Sequence, residues 1–523
     1  MYRLLSASKD CYITNKYIAN SRSLNANVGQ AGTLDLFKLY NETTLTTATG
    51  SGVELTRLLI QFDYAPLQQI TSSVLDYASG SFKAFVNLKD VYGGQTTPSN
   101  FTVEILPLSK SFDEGRGSDV IAFRDVDAVN WITASLSPTV TWSQQGASAT
   151  GSLGSDCDVI LSGNLGSGMV GLGSTQKFTR GDEDLLIDVT KLVSASLAGI
   201  IPNNGFRISF IASEETDSYT RFVKRFGSRA TQNKSLRPKL IVKYDDSIFD
   251  TGPNGFFDSP ANLFMYNTVR GNHKNFYSGS TEISGANSMK LQLITSKSVK
   301  FTTSSWSPSH SASISYVTRS LTYFSRSYSG SQFNLGSIPQ VGVYFSTVTL
   351  SLGSDPELNS FVSNSNSVLF QANWLSTDKT LLYASNQIVF LKIQGDHSNA
   401  MDQNLVVNIT NLDEEFKTDQ SRRLRVFAAD YNKELPGYRV PTVLESVIIP
   451  DLKWRVINAF TREVIIPWDP ATKMSTDFDG MYFDFYFGDL EINQIYEFEL
   501  QGNSSTGKTI VITNKGFRFK VSR

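Results

Sequence analysis

The chain has 523 residues, of which 40% are hydrophobic and 18% are charged, and its formal net charge is −2. A chain of this length exceeds what one hydrophobic core supports, so we expect about three domains. The near-neutral charge gives no global field to attract nucleic acid or an anionic membrane. No uncharged apolar run approaches the roughly 18 residues of a membrane-spanning helix, so neither nucleic acid nor a membrane is an expected partner.

The N-terminus and the cysteines predict the compartment. Residues 1–5 are followed at once by polar residues and lack the apolar core of a signal peptide. We therefore expect the protein to be made and kept in a cytoplasm until another route releases it. Cys11 and Cys157 are the only cysteines, both in apolar-leaning strand contexts. They are interpreted as small core residues, and a disulfide between them is not expected in that compartment.

Strand patterns dominate the first half of the chain. Runs of alternating or continuous apolar residues separated by Gly, Ser, Asn and Pro predict strands at Leu55–Phe62, Phe82–Leu88, Phe101–Leu108, Phe206–Ile211 and Leu240–Tyr244. Thr190 is predicted to cap a short helix that ends at Gly199 in the left-handed conformation. Short strands in this arrangement are typical of sandwiches and jelly rolls.

Several motifs occur in one fixed order along residues 1–245. They are Lys9-Asp10-Cys11-Tyr12-Ile13, the Asn25, Asn27 and Gly29 loop, Arg57–Asp63, Trp131 with Val140-Thr141-Trp142, Asp188-Val189-Thr190, Asn204-Gly205-Phe206, Phe226–Arg229 and Arg237–Tyr244. In this order they resemble the DNRLRE-type domain, a jelly-roll module related to carbohydrate-binding modules. The resemblance covers about half of the chain and implies a jelly-roll β-sandwich over residues 1–247.

The resemblance also raises two ligand hypotheses. Sugar-binding modules stack exposed aromatic rings on the apolar face of a sugar, and Trp131 and Trp142 are the candidates here. The alternative is that the paired tryptophans fill the core or cover its end. Jelly-roll sugar-binding modules often hold a structural calcium ion, so a calcium site in the first domain is an expectation of the resemblance. No other cofactor is expected.

Two further domains follow. The turn formers of residues 250–255 mark the first boundary, and Gly395–Ser398 mark the second. We expect a β-sandwich over residues 258–395, with strands at Met289–Leu293, Val341–Leu350 and Ile388–Ile393. About seven strands in residues 398–523 suit an immunoglobulin-like sandwich. The predicted strands are Leu405–Ile409, Leu424–Phe427, Trp454–Ile457, Tyr482–Tyr486, Tyr496–Leu500, Thr509–Thr513 and Phe517–Val521. The predicted fold class is all-β.

One sequence motif matches a phosphate-binding loop but lacks its context. Residues 502–509 fit the pattern G-x-x-x-x-G-K-[ST]. That site needs a following helix whose N-terminal amides and dipole bind phosphate. The β-branched run Thr509–Thr513 predicts a strand instead. We interpret the motif as a loop between two strands.

Acidic clusters and histidines are the candidate metal-binding or catalytic groups of this sequence. Clustered carboxylates could bind Ca²⁺. Their spacing does not follow a calcium loop, and turns or solvated acidic loops are the preferred interpretation of Asp477, Asp479 and Asp484, of Gly181–Asp184 and of Asp125–Asp127. His273, His310 and His397 have no partner at zinc or triad spacing. No pair of carboxylates stands out as a glycosidase pair. We therefore expect no catalytic residues, no metal ligands and no enzymatic activity.

The remaining features favour a structural role. Tyr323, Phe324, Tyr328 and Phe333 form an aromatic group among serines, as interface anchors or ordinary strand residues. The stretch from Trp454 through Trp468 to Asp484 resembles terminal modules of large tailed-phage virion proteins. Such proteins are made in the host cytoplasm, leave by lysis and need no signal peptide.

The sequence thus predicts a virion structural protein of the neck, tail or baseplate. Its expected partners are other virion proteins, further copies of itself in a symmetric homo-oligomer, and a host surface glycan that contacts the first domain. Weak single contacts repeated around a ring would add through effective concentration. The alternative is a bacterial surface adhesin that binds polysaccharide, and an enzyme is the third interpretation.

Overall fold

The computed structural model of the protein describes the chain apart from residues 20, 43–51, 93, 95–96, 122–127, 154, 166–167, 308–309, 363–364, 393–404, 431–445 and 504–507. At residues 297–322 and 430 it describes the backbone alone. The chain forms two compact units. The N-terminal unit comprises Tyr2–Asp245 and Asp489–Glu491, and the C-terminal unit comprises Met1, Asp246–Gly488 and Ile492–Arg523.

Both units are built from strands, so the predicted all-β fold class is confirmed. The predicted domain boundaries near residues 247–258 and 395–398 remain predictions. Across the part of the chain that the structure describes, no helix is long and apolar enough to span a membrane.

The N-terminal unit contains short strands and a few helical turns. Its strands are β1 (Tyr2–Thr14), β2 (Tyr17–Ile18), β3 (Ser21–Arg22), β4 (Thr33–Tyr40), β5 (Val53–Phe62), β6 (Lys83–Leu88), β7 (Phe101–Pro107), β8 (Thr133–Leu136), β9 (Thr139–Thr141), β10 (Ser162–Leu165), β11 (Gly168–Gly171), β12 (Ser174–Phe178), β13 (Leu185–Asp188), β14 (Phe206–Phe210), β15 (Arg221–Gly227) and β16 (Lys239–Lys243). Its helices are α1 (Ala65–Gln68), α2 (Thr190–Leu197), α3 (Ala212–Thr216) and a 3-10 turn at Lys234–Leu236. The strands predicted at Leu55–Phe62, Phe82–Leu88, Phe101–Leu108, Phe206–Ile211 and Leu240–Tyr244 are all present to within two residues.

The long strand β1 belongs to two sheets. Its first part, residues 2–6, pairs with β16, and its second part, residues 7–14, pairs with β5. The strand order is β12-β7-β14-β5-β1-β16-β6-β13. Strands that switch sheets at a bulge form the corners of sandwiches, and the register of β1 shifts between Ala7 and Lys9. This arrangement makes the unit a jelly-roll-like sandwich.

Two apolar layers fill the N-terminal unit. Between the sheets, Leu58, Ile60, Val86 and Ile208 are fully buried. On the outer face, Leu59, Cys11 and Cys157 pack under the long connection of residues 108–160. Both cysteines are buried and unbridged, which confirms their interpretation as core residues.

The predicted helix is present, but its start differs from the prediction. Val189 is the N-cap and Thr190 is the first helical residue. The side chain of Thr190 instead accepts a hydrogen bond from the amide of Ala84 at 3.0 Å, because β6 lies beside this turn. Asp188 accepts from the Thr190 amide at 2.8 Å. The helix is followed by Gly199 with φ of +73°, as the sequence predicts.

The C-terminal unit has longer strands in its first part. They are β17 (Asn254–Phe256), β18 (Pro260–Tyr266), β19 (Thr268–Val269), β20 (Asn272–His273), β21 (Tyr277–Ser278), β22 (Thr281–Glu282), β23 (Met289–Ser307), β24 (His310–Leu335), β25 (Ile338–Thr349), β26 (Ser367–Leu375) and β27 (Leu382–Leu391), with one helix, α4 (Pro356–Val362). The main sheet has the order β17-β27-β26-β23-β24-β25-β18. We call it the middle sheet.

The second part of this unit is a sandwich of two sheets. Its strands are β28 (Leu405–Ile409), β29 (Glu415–Lys417), β30 (Ser421–Asp430), β31 (Lys453–Asn458), β32 (Val464–Ile466), β33 (Ser475–Asp477), β34 (Gly480–Tyr486), β35 (Gln494–Asn503), β36 (Thr509–Ile512) and β37 (Arg518–Ser522), with 3-10 turns at Pro470–Thr472, Phe487–Asp489 and Lys515–Phe517. One sheet runs β28-β30-β34-β33 and the other β29-β37-β35-β31-β32, with β36 on β35.

Aromatic side chains join these two sheets. Trp454 on β31 stacks on Phe483 of β34 with ring centroids 5.2 Å apart. Phe485 of β34 meets Phe498 of β35 edge-on at 5.1 Å. These pairs combine a large buried apolar area with favoured ring geometry. The predicted alternation of the last strand is confirmed, since Phe519 and Val521 are buried, Arg518 and Lys520 are exposed and Ser522 is half-buried.

Candidate interaction site

A long hairpin extends beyond the middle sheet. Strands β23 and β24 pair continuously from Met289↔Gly330 to Ser305↔Ile314 and close at Ser307↔His310. The neighbouring strand β26 pairs with β23 only over Lys290–Ile294. We call residues 295–324 the arm. At about 3.3 Å per residue, its strands run roughly 40 Å past the last three-strand pairing.

The arm has two open backbone edges. Among the described residues, β23 beyond Ile294 and β24 before Tyr323 pair only with each other. Edge strands present a row of unpaired amide and carbonyl groups, which is a template for pairing with another chain. A two-stranded hairpin is marginally stable by itself in water. Binding of a partner strand would therefore stabilise the arm.

The segment that contains the arm carries only positive charges. From residue 283 to residue 354 the sequence contains no Asp or Glu, whereas it contains five Lys or Arg. The arm carries Lys297, Lys300 and Arg319 of these. An acidic partner surface would therefore be attracted without repulsion from acidic groups of the same segment.

A groove lies where the arm leaves the middle sheet. Its volume is about 480 Å³, and its lining residues come from β23, β24, β26, β27 and the end of α4. These residues share an uncharged character: Ile294, Thr295, Ser296, Tyr323, Phe361, Ser365, Ser367, Val368, Leu369, Gln371 and Gln387. Tyr323 is 66% exposed and Leu369 is 50% exposed, whereas Thr295 and Val368 are buried.

An ion-pair cluster holds α4 in place as one wall of this groove. Arg326 on β24 binds Asp355 at 3.0 Å and Glu357 at 2.7 Å. The hydrogen bond to Glu357 raises the pKa of the Arg326 guanidinium. On the inner side of the helix, Phe361 contacts the buried ring of Phe324 with centroids 6.2 Å apart. The helix is thus fastened to β24 from both sides.

The aromatic group of Tyr323, Phe324, Tyr328 and Phe333 contains three packed residues and one exposed residue. Phe324 is buried in the core of the middle sheet, and Tyr328 packs against that core. Phe333 meets Phe264 and Phe345 edge-on. These three are strand residues with a packing role. Tyr323 points to the other face and is exposed beside the groove.

The structure places Trp131 and Trp142 in the interior. They are 5% and 4% exposed, respectively, within the cluster under residues 108–160. Trp142 Nε1 donates to the carbonyl of Asn130 at 2.9 Å. The guanidinium of Arg57 lies 5.2 Å from the centroid of the Trp131 ring. Neither ring has an open face on which a sugar could stack in this conformation, which agrees with the core alternative.

Buried charges fasten the same connection to the sheet. Arg57 donates to both carboxylate oxygens of Glu215, at 2.9 and 2.6 Å, and to the carbonyl of Gly146 at 2.6 Å. Arg207 approaches Glu215 at 3.4 Å. Burial alone would raise the pKa of Glu215, but Arg57 and Arg207 outweigh it and lower this pKa. Burial lowers the pKa of Arg207 to about 10.

In the first acidic cluster, Asp477 and Asp484 form ion pairs with arginines. Asp484 pairs with Arg423 at 2.9 and 3.0 Å, and Asp477 pairs with Arg425 at 2.5 Å. Asp477 also accepts from the amide of Asp479 at 3.0 Å, which is the geometry of a turn. The turn predicted at Asp477–Gly480 is present, whereas Asp484 lies within strand β34.

The second acidic segment also forms a turn. Glu183 accepts from the amides of Thr179, Arg180 and Gly181 at 3.0, 2.9 and 2.6 Å. Burial opposes ionisation, but these hydrogen bonds hold the pKa of Glu183 well below its ordinary value. Residues 125–127 lie outside the described residues. Within the part that is described, no three His, Cys, Asp or Glu side chains are grouped so as to hold a metal ion, and the calcium site remains a prediction.

The other sequence motifs have the predicted context where the structure describes them. The phosphate-loop lookalike joins strands β35 and β36, so a strand and not a helix follows it. Its residues 504–507 lie outside the described residues. His273 is exposed in the short strand β20, where its Nδ1 is 3.5 Å from the Thr268 hydroxyl. His397 and the side chain of His310 are not described.

Neither a protein-family model nor a curated protein matches the sequence. Among solved structures, the tandem V-type regions of VCBP3, a v-region-containing chitin-binding protein, are 10% identical and align over 52% of this chain and 97% of that one, with a TM-score of 0.13. A bacterial ice-binding adhesin is 9% identical over 67% and 89%, with a TM-score of 0.13. Alpha-2-macroglobulin from Escherichia coli is 8% identical over 100% and 30%, with a TM-score of 0.14. Scores this low carry no argument about function.

Proposed function

We propose that the protein is a structural component of a tailed-phage virion, in the neck, tail or baseplate, and that it assembles by protein–protein contacts made through the arm. The phage assignment rests on the resemblance of the stretch from Trp454 to Asp484 to terminal modules of virion proteins. The assembly role rests on one observation, the hairpin of β23 and β24 that continues far beyond its neighbour β26.

The arm is only marginally stable as a two-stranded hairpin without a partner. Its residues are ordered into strands, yet each strand has a partner on one side only. Pairing with a strand of a neighbouring subunit would satisfy the open amide and carbonyl groups and bury apolar surface. The stiff sandwich units would then act as spacers that set the distance between contacts.

The neighbour that fits best is another copy of this chain. A contact between an arm and a different surface of the next copy is heterologous, and it closes into a ring when the rotation is right. Exposed carboxylates at and beside β29 are the candidate contacts for the basic arm. They are Glu414 and Asp419, whereas Asp413 is paired with Arg422 and Glu415 with Lys520.

Electron cryo-microscopy of the particles or lysate that contain the protein tests this proposal. We expect density for the protein at a fixed symmetric position, with the arm in contact with a neighbouring subunit. A monomer that is absent from every particle would contradict it. A contact of the arm with a different virion protein would support the structural role but contradict assembly of copies of this chain through the arm.

A further inference from the structure

We infer that the groove beside Tyr323 is a binding site for a neutral oligosaccharide. It lies in the C-terminal unit, far along the chain from the tryptophans to which the sequence assigned sugar contact. The inference does not depend on the arm or on a place in a virion. It rests on the chemistry of the lining residues.

Shape and charge are the first argument. A volume of about 480 Å³ is within the roughly 300–1,000 Å³ of small-molecule sites. None of the described lining residues is charged, so among them an anionic or cationic ligand would find no ion-pair partner to offset its lost hydration. A neutral ligand with many hydroxyl groups loses less hydration free energy, and hydrogen bonds to the lining can offset that loss.

The hydrogen-bonding groups are the second argument. Serine hydroxyls and glutamine amides both donate and accept, which matches the hydroxyl groups of a sugar. Gln371 Nε2 donates to Ser385 at 3.0 Å, and Ser385 donates to Asn373 at 2.7 Å. This chain orients the Gln371 side chain and leaves its carbonyl oxygen to accept from a ligand. The side chain of Gln387 is exposed and lines the same groove, where its amide group can both donate and accept.

The third argument is the exposed ring of Tyr323. An aromatic ring binds the flat apolar C–H face of a sugar, while the sugar hydroxyls turn to the polar groups around it. Tyr323 is 66% exposed at the edge of the groove, although it alternates along β24 with the buried Phe324. The partly buried Ile294 and the exposed Leu369 extend the apolar strip beside it.

Binding of the full chain to oligosaccharides tests the inference. The probes are hexamers of β-1,4-linked glucose, α-1,4-linked glucose and N-acetylglucosamine, together with polygalacturonate as a charged comparison. We expect binding of at least one neutral hexamer, unaffected by salt, with an affinity that falls about tenfold or more in Tyr323→Ala and in Gln387→Ala. Tyr277→Ala is the matched control, since Tyr277 is 58% exposed in the same unit and does not line the groove.

Three results would overturn the inference. The first is the absence of binding of every neutral hexamer at millimolar concentration. The second is binding that Tyr323→Ala and Tyr277→Ala change equally. The third is binding of a synthetic peptide of residues 310–322 in preference to the hexamers, which would assign the site to an extended strand instead. Both tyrosines are exposed, so thermal melting curves should show that each variant stays folded.

Discussion

Ile294 and Gln371 form the last backbone pair between β23 and β26. At this pair Ile294 also has Ser325 as its partner on the other side. Beyond it, β23 keeps only β24, and the arm begins. The groove lies at the same point, between the departing strand and the edge of β26. One change in pairing thus creates both an assembly element and a ligand-sized recess.

Shortening the arm should leave the middle sheet folded. Ser296 and Tyr323 are directly opposite, so Asn-Gly in place of residues 297–322 would close the hairpin with a two-residue turn. The described core of this sheet contains Met289, Leu291 and Phe324, all outside the removed segment. We expect circular dichroism and the melting transition of the C-terminal unit to stay close to those of the wild type. A loss of cooperative melting would show that the arm is part of the folding core.

The buried ion pair of Arg57 and Glu215 should be essential to the stability of the N-terminal unit. Glu215→Ala leaves Arg57 and Arg207 without their shared carboxylate, and removing one partner of a buried pair typically costs about 3–5 kcal/mol. Hydrogen exchange of peptides from β5 and β14 measures the effect. The control is Asp182→Ala, since its pair with Arg180 is exposed and should contribute little. Equal exchange in both variants would contradict the role of the buried cluster.

The stability of the N-terminal unit should fall as the pH rises from about 4 to about 7. Burial raises the pKa of Asp10 to about 7, against an ordinary value of 3.8. In this window the folded chain retains a proton that the unfolded chain has lost, so rising pH favours unfolding, and the effect levels off above pH 7. Its size is a few kcal/mol at most, at about 1.4 kcal/mol for each unit of pKa.

The variant Asp10→Asn should reduce this pH dependence, and the part that remains is due to Glu104 on β7, whose pKa is also raised by burial. The carboxylate accepts from the amide of Arg229 at 2.6 Å, and an asparagine oxygen can do the same. Glu114, Arg229 and Arg237 are the charged groups that act on Asp10, and they stay in place. Asp250 in the C-terminal unit also has its pKa raised to about 7, so exchange must be followed in peptides of β1. An unchanged pH profile in Asp10→Asn would assign the dependence to another group.

The tryptophans of the N-terminal unit should affect stability and not sugar binding. Trp131→Ala removes a large buried ring and should cost about 3–5 kcal/mol. Trp142→Phe keeps most of the volume but leaves the Asn130 carbonyl without its donor, at about 1–3 kcal/mol. Melting temperatures and hexamer binding separate the two roles. Weaker sugar binding with an unchanged melting temperature would support stacking on these rings.

The sequence predicts strands well where apolar residues alternate or cluster. The position of β14 and the buried face of β37 follow from such patterns. The arm could not be predicted, since Ser and Thr dominate residues 295–322 and the strand predicted from the apolar pattern ends at Leu293. Its length depends on pairing between β23 and β24, and pairing is a long-range property that local patterns do not encode.

The candidate sites also combine features that the sequence predicts with features that depend on the fold. The two tryptophans are visible in the sequence, but their burial depends on the fold of residues 108–160. The groove joins residues from β23, β26, β27 and α4, and the most distant pair, Ile294 and Gln387, are 93 positions apart. Tyr323 was part of a recognised aromatic group, yet only the alternation along β24 separates it from its buried neighbour Phe324.

Self-association of the purified chain, measured by light scattering over a range of concentrations, tests the role of the arm most directly. The samples are the wild type, the variant with Asn-Gly in place of residues 297–322, and Phe460→Ser as a control that removes an exposed ring outside the arm. We predict oligomers for the wild type and for Phe460→Ser, and a monomer for the shortened variant. Oligomers of equal size in all three, or a wild type that stays monomeric at every concentration, would contradict assembly of copies through the arm.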